Sequence, residues 1–249
     1  MKKAASRLDA ALVERGLAAS RERARGLILA GQVRVNGMLV SKAGAPVNTS
    51  DHLALIEPDH PYVGRGGVKL AHALDVFGID PRERLGLDVG ASTGGFTDVL
   101  LRRGARRVVA LDVGHGQIDW RLRTDPRVVV MERINARLLT PDQLPEDAQV
   151  FGIITMDLSF ISVRHVLPAM LPLLEPAGDL VVLVKPQFEA GREEVGKGGL
   201  VIDPAVHARV IADVTAAADA LGLTRIHMTE SPITGTEGNR EFFLHLRRS

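Results

Sequence analysis

The 249-residue chain has no cysteine. This excludes a disulfide framework, a thiolate zinc site and a cysteine nucleophile. Aromatic side chains are scarce, with seven Phe, one Tyr and one Trp. A nucleic-acid partner held mainly by stacked bases is therefore a poor fit. No apolar run approaches the roughly 20 residues that a membrane-spanning helix needs. The first residues, MKKAASRLDAALVERG, carry two lysines but no apolar core of a signal peptide. A cytoplasmic protein with no membrane partner is the expectation. Clustered histidines of metal-ligand spacing are missing too, so no metal is expected. Two common nucleotide signatures are also absent: there is no G-x-G-x-x-G for a dinucleotide and no G-K-[ST] for a triphosphate.

The net charge is only +1, but it is unevenly spread. Residues 1–50 carry nine Lys/Arg against three Asp/Glu, and the remainder carry 22 against 27. A basic head on a mildly acidic body fits either a polyanion-binding module or a solvated basic helix. Charge alone leaves both readings open.

The head has a local pattern. Leu8, Ala11 and Leu12 recur at helical spacing, and Gly16 ends that run. Ser20 is placed to cap a second helix, whose first turns carry Arg21, Arg23 and Arg25. In QVRVNGMLV, Val33 and Val35 alternate with polar residues, and Asn36-Gly37 signals a hairpin. A further strand is expected within 51–56. The order R7-L-D, R21-E-R-A-R and I28-L-A-G-Q-V-R-V-N-G37 resembles the S4 RNA-binding domain over some 55–60 residues. The resemblance implies RNA-phosphate contacts by Arg7, Arg21, Arg23, Arg25 and Arg34, and Arg65 is counted with them as an RNA-binding candidate. The polar stretch EPDHPY, with two prolines, then reads as a connection, and VGRGG, around Arg65, as a joint allowing close backbone approach. The expected division is an RNA-binding unit over 1–60, a linker over 61–67 and a larger domain over 68–249.

In the larger domain short apolar runs alternate with helical patterns. Strands are expected at 85–89, 107–112, 128–132, 152–157 and 180–185, and helices at 68–77, 95–103, 163–174 and 204–221. Such alternation argues an α/β fold with a parallel sheet covered on both faces. Two last strands, at 224–229 and 241–246, have no long helix between them and are expected to pair antiparallel at one edge.

In open α/β sheets ligands sit at the carboxyl ends of the strands, at a switch point. LDVGASTGGFTDVLL, starting at Leu87, is a strand, a glycine turn and a helix start. Asp88, Gly90, Ser92, Thr93, Gly94, Gly95 and Phe96 are the candidate cofactor residues here. The amides of that helix start suit a carboxylate. Asp112 and Val113 end the next strand, where an acid accepts ribose hydroxyls. A nucleoside with an amino-acid tail fits better than a dinucleotide, and S-adenosylmethionine is such a ligand. Lys69, Asp157, Lys185 and Glu241 stand at the start of the domain or at strand ends. Each by itself reads as a salt bridge. Together they bring amines and carboxylates to one sheet edge, where they perturb one another's proton affinity.

At this point a resemblance is close. D88-V-G-A-S-T-G-G-F-T97, with Lys69, Asp157, Lys185 and Glu241 in this order, is similar to the K-D-K-E tetrad of FtsJ/RrmJ-like ribose 2′-O-methyltransferases. With the S4-like head, V63-G-R-G-G-V-K69 and L111-D-V-G-H-G-Q-I-D-W120, the whole chain resembles the TlyA family, often labelled haemolysins. His115 departs from the aromatic residue of many relatives. The resemblance implies a Rossmann-like seven-stranded methyltransferase sheet behind a small α+β S4 domain. It implies transfer of a methyl group from S-adenosylmethionine to a ribose 2′-hydroxyl, of a cytidine in 16S or 23S ribosomal RNA, by a monomer docking on ribosomal subunits. In that chemistry Lys185 is the base or hydroxyl-orienting group, Asp157 orients Lys185 and faces the cofactor, and Lys69 and Glu241 position the ribose. Two readings compete with it: a membrane-active haemolysin, and a non-catalytic RNA-binding assembly factor. His207 reads as a helix-surface residue, and His227 and His245 as strand residues. The glycine-rich segments 190–204 and 231–240 read as mobile loops at the RNA-facing edge or as plain surface connections.

Overall fold

The computed structural model describes residues 6–18, 20–56, 60–235 and 237–248. Residues 57–59 of the expected connection and residue 236 of the last glycine-rich segment lie outside them.

The head is a small α+β unit. Strand β1 (Ser6–Arg7) leads into helix α1 (Leu8–Glu14), which packs on α2 (Arg21–Leu29). Leu8, Leu12, Ala24, Ile28 and Val33 are fully buried between them. Ser20 caps α2, its hydroxyl accepting the Arg23 amide at 3.1 Å. Strands β2 (Val33–Val35) and β3 (Met38–Leu39) form the hairpin, with Asn36 at φ 51° and Gly37 at φ 83°. A β-carbon is strained there, which is why Asn-Gly serves that turn. Strand β4 (Pro46–Val47) pairs with β1, and β5 (Leu53–Leu55) pairs with the free edge of β2.

The larger domain opens with α3 (Gly66–Phe77), two residues earlier than its periodicity predicts. Gly67 explains the shift. A β-carbon there would fall 2.4 Å from the Tyr62 side chain, and one at Gly95 would fall 2.9 Å from the Gly67 nitrogen. These glycines let two helix starts meet, so the expected joint is a packed contact. Then follow β6 (Leu85–Val89), α4 (Gly95–Arg102), β7 (Arg107–Asp112), α5 (Trp120–Arg123), β8 (Val128–Glu132), β9 (Phe151–Met156) and α6 (Leu167–Met170). The chain closes with β10 (Leu174–Val184), α7 (Pro186–Glu189), α8 (Pro204–Asp219), β11 (Leu223–Glu230) and β12 (Phe242–Arg248).

The seven strands lie in the order β11-β12-β10-β9-β6-β7-β8. All neighbours from β10 to β8 are parallel, while β12 runs antiparallel to both β10 and β11. The chain lays β7 and β8 on one side of β6, then crosses to place β9 on the other. The crevice between the ends of β6 and β9 is thus the switch point.

Three expectations need correction. The single helix over 163–174 is instead a short 3₁₀ turn (Val163–His165), α6 and a second 3₁₀ turn (Leu171–Leu173). Pro168 and Pro172 lack the amide that a continuous helix needs and break it. Strand β10 starts at Leu174, with a register shift before Asp179, rather than at 180. His207 is not on the surface: it is buried, its Nε2 lies 2.8 Å from the Val201 carbonyl, and its ring packs on Phe242.

Candidate active site

The turn after β6 has its shape for a steric reason. Gly90 sits at φ +85°, and a β-carbon there would lie 2.3 Å from the Asp157 carbonyl oxygen. The ends of β6 and β9 therefore touch backbone to backbone. Asp112, at the end of β7, accepts the Ser92 amide at 2.8 Å and the Gly114 amide at 2.6 Å. Its carboxylate clamps both loops and keeps lone pairs for further donors. Beside this clamp is a cavity of about 510 Å³, within the range of small-ligand sites. Gly90, Ser92, Asp112, Val113 and Asp157 line it, with apolar surface from Leu111, Ile134 and Val166.

The other residues of the turn are placed differently. Asp88 is fully buried and serves the turn from behind, accepting the Thr97 amide (2.9 Å), the Thr97 hydroxyl (2.7 Å) and the Thr155 hydroxyl (3.1 Å). Burial lifts its carboxyl to about 7; the Thr97 and Thr155 bonds oppose this and the nearby Asp157 charge adds to it. Gly94 faces Leu122 rather than a cavity. Thr93, Gly95 and Phe96 border a second, smaller cavity of about 190 Å³.

That smaller cavity gathers Lys69, Asp157, Lys185 and Glu241, although they come from α3 and the ends of β9, β10 and β12. Lys69 Nζ lies 2.5 Å from Glu241 Oε2, and both side chains are nearly buried. Lys185 Nζ lies 2.5 Å from Asp157 Oδ1 and donates to Ser159 Oγ at 3.1 Å. The Asp157 contact is one of charge rather than of good hydrogen-bond angle, since Oδ1 has no well-aligned donor. Burial pulls the Lys185 ammonium down, but the charges of Asp157 and then Glu241 lift it above its ordinary value. Burial likewise raises Asp157, and Lys185 and Lys69 bring it below the usual carboxylate range. Two amines and two carboxylates thus neutralise one another in a small enclosure. The two cavities share Gly90, Ser92, Asp157 and Ser159, and Leu29 of α2 reaches both.

The basic head is partly occupied internally. Arg7, Arg21 and Arg25 all converge on the buried carboxylate of Asp9 at 3.0–3.2 Å, their outer faces remaining half exposed. Arg23 instead reaches Asp119 of the larger domain at 2.9 Å. Arg34 is exposed on β2, and Arg65 borders the smaller cavity. Periodicity missed Phe160, a residue 91% exposed at the wall of the larger cavity, with φ +66°. A large exposed aromatic in a left-handed conformation is a sign of a constrained site, but its φ is not written in the sequence. The two glycine-rich segments are tied to each other just before Glu241. Buried Asn239 accepts the Val201 amide at 2.9 Å and donates to the Gly199 carbonyl at 2.8 Å.

A sheet of this order, with a glycine turn at its switch point and a lysine–carboxylate cavity beside it, belongs to an FtsJ-like methyltransferase, here joined to an S4 domain. The FtsJ-like methyltransferase model matches residues 62–248 and the S4 domain model residues 6–53. The chain is 48% identical to the 16S/23S rRNA (cytidine-2′-O)-methyltransferase TlyA of Mycobacterium tuberculosis, over 97% of this chain and 90% of that protein. It is 38% identical to Hemolysin A of Brachyspira hyodysenteriae, over 96% of this chain and 98% of that protein. A solved Streptococcus thermophilus structure described as a hemolysin superposes with a TM-score of 0.76 at 40% identity, over 99% of this chain and 89% of that one. The chain is a member of the TlyA family.

Proposed function

We propose that this chain transfers a methyl group from S-adenosylmethionine to the 2′-hydroxyl of a cytidine in 16S ribosomal RNA, 23S ribosomal RNA or both. The observation that carries this reading is the meeting of Lys69, Asp157, Lys185 and Glu241 in one small cavity that shares a wall with the larger one. A methyl donor and a ribose acceptor need such adjoining rooms. The S4 unit docks on ribosomal RNA through its arginines, and the chain acts as a monomer in the cytoplasm. Among the described residues no helix is long and apolar enough to cross a membrane.

When bound, S-adenosylmethionine supplies a sulfonium-borne methyl group to a nucleophile aligned with it. The Gly90–Ser92 turn and the Asp112 carboxylate would hold its sugar, and Leu111, Ile134 and Val166 its base. Asp157 stands between donor and acceptor rooms. The resting pair with Asp157 keeps Lys185 Nζ protonated, so Lys185 first orients the ribose hydroxyl. Any weakening of the Asp157 pair lowers the Lys185 pKa and readies Nζ to accept the hydroxyl proton. Lys69, held by Glu241, adds a second fixed cation that supports the same shift. Phe160 offers a stacking face for the base next to the reacting ribose.

The test is transfer of labelled methyl from S-adenosylmethionine to purified 30S and 50S subunits, followed by mapping of 2′-O-methyl positions. The expected result is label at a cytidine ribose, abolished in Lys185→Ala with donor binding intact. Label on a base, or full transfer by Lys185→Ala, would overturn it. Release of dye from liposomes by the purified chain would instead favour the haemolysin reading.

A further inference from the structure

From Asp157 to Val163 the chain crosses the rim of both cavities. Its central residue, Phe160, holds the disfavoured left-handed conformation. What opposes relaxation is the segment that follows β10. Three contacts run in step along the two segments. Lys185 reaches Asp157 and Ser159. The Phe188 ring lies 5.3 Å from the Phe160 ring. Glu189 then accepts the Ser162 hydroxyl at 2.5 Å and the Val163 amide at 2.7 Å.

Glu189 is unusual in its setting. Its side chain is 2% exposed and borders neither cavity. Burying a carboxylate is costly unless its oxygens are well supplied with donors. Here they are: Ser162, Val163 and the Arg164 Nε, at 3.2 Å, all point at it. Burial raises its carboxyl above the ordinary value, and these donors oppose that rise while fixing where Ser162 and Val163 sit.

We infer that Glu189 is a positioning residue for methyl transfer, clamping Ser162 and Val163 so that Ser159 and Phe160 stay where the substrate meets them. The inference rests on the methyltransferase reading and concerns a residue that touches neither donor nor ribose. Val163 stays in the core and Arg164 still reaches the Ser162 hydroxyl. Without the carboxylate, however, the Ser162 hydroxyl and the Val163 amide lose the acceptor that ties this segment to the one after β10, and Phe160 is freer to rotate toward an ordinary φ. Ser159 then leaves Lys185 Nζ, and the ring leaves the cavity wall.

The experiment uses the full chain and compares wild type, Glu189→Ala and Glu189→Gln. Gln keeps an acceptor for the Val163 amide and can still bond Ser162, but carries no charge. Hydrogen exchange by mass spectrometry reads residues 157–166, and steady-state transfer to ribosomal subunits reads kcat and KM. For Glu189→Ala the expected result is at least tenfold faster exchange in that segment, with the β12 peptide unchanged. Its kcat falls at least tenfold while KM for the subunit stays within threefold, and Glu189→Gln recovers most of the loss. Wild-type kcat, a rise in KM alone or unchanged exchange in 157–166 would each overturn the inference. If Glu189→Ala does not fold, Ser162→Ala carries the same comparison, and wild-type rates with unchanged exchange in it would refute the inference. If wild type methylates neither subunit, the substrate reading fails, while exchange still decides whether Glu189 clamps the segment.

Discussion

Asp88 makes the stability of the glycine turn after β6 depend on pH, and replacing it with Asn should remove that dependence. The carboxyl is fully buried, and its value rises from 3.8 to about 7. Between those values the folded chain binds a proton that the unfolded chain has released. Stability therefore falls as pH rises through this window, and the loss is complete above the folded value. At about 1.4 kcal/mol per unit, the drop between pH 5 and pH 8 comes to roughly 3 kcal/mol. Asn fits the same site without a charge. Its oxygen accepts the two Thr97 donors, and its amide faces the Thr155 hydroxyl, which turns toward the Leu87 carbonyl it already approaches at 3.5 Å. Urea unfolding of wild type and Asp88→Asn at intervals from pH 5 to pH 8.5 measures the effect. The difference should grow with pH in favour of the variant by a few kcal/mol and then level off. Parallel curves, or a variant that loses stability by the same amount at every pH, would refute the reasoning: Asp88 would then be ionised throughout and held by its threonines.

Three further outcomes are expected. Lys69→Met leaves the Glu241 carboxylate buried without its cation, which should cost roughly 3–5 kcal/mol in urea unfolding. Lys69→Met with Glu241→Leu should recover most of that stability and none of the methyl transfer. Phe160→Gly relieves the roughly 1–2 kcal/mol cost of a side chain in the left-handed region and also removes the ring, so melting temperature should rise slightly while transfer falls at least tenfold. Asp9 is held well below the usual carboxylate range by Arg7, against its burial, with Arg25 and Arg21 adding to the effect. Its contribution is full above the unfolded value of 3.8 and is lost as pH falls below it. Circular dichroism of the chain should show acid loss of the head below about pH 4, a step that Asp9→Asn removes while leaving the head less stable at neutral pH.

Local signals carried far in this chain. The strands β6 and β7 end where their apolar runs end, because a buried parallel strand is written as a continuous run. The hairpin at Asn36-Gly37 and the cap at Ser20 are likewise local. The segment after β9 was harder, because its apolar spacing looks helical while Pro168 and Pro172 divide it. Lys69 and Glu241 are 172 residues apart, and no spacing rule joins them; their places at the domain start and at a strand end mark them as candidates, and the family resemblance pairs them. The arginines of the head were visible as charge, but their convergence on Asp9 was not, since a surface helix and one folded around a buried acid share a composition. Glu189 and Asn239 gave no signal, because each acts by holding another loop.

Gly90 has a practical consequence. Because the strand ends meet there without a side chain between them, the wall that the two cavities share at Gly90 and Asp157 is thin. A single small molecule spanning both rooms needs only a short tether between a nucleoside part and a ribose-like part. Such a compound would draw on both surfaces at once, and any side chain introduced at position 90 to resist it would have to displace the carbonyl of Asp157. Resistance by that route would cost the catalyst its own geometry.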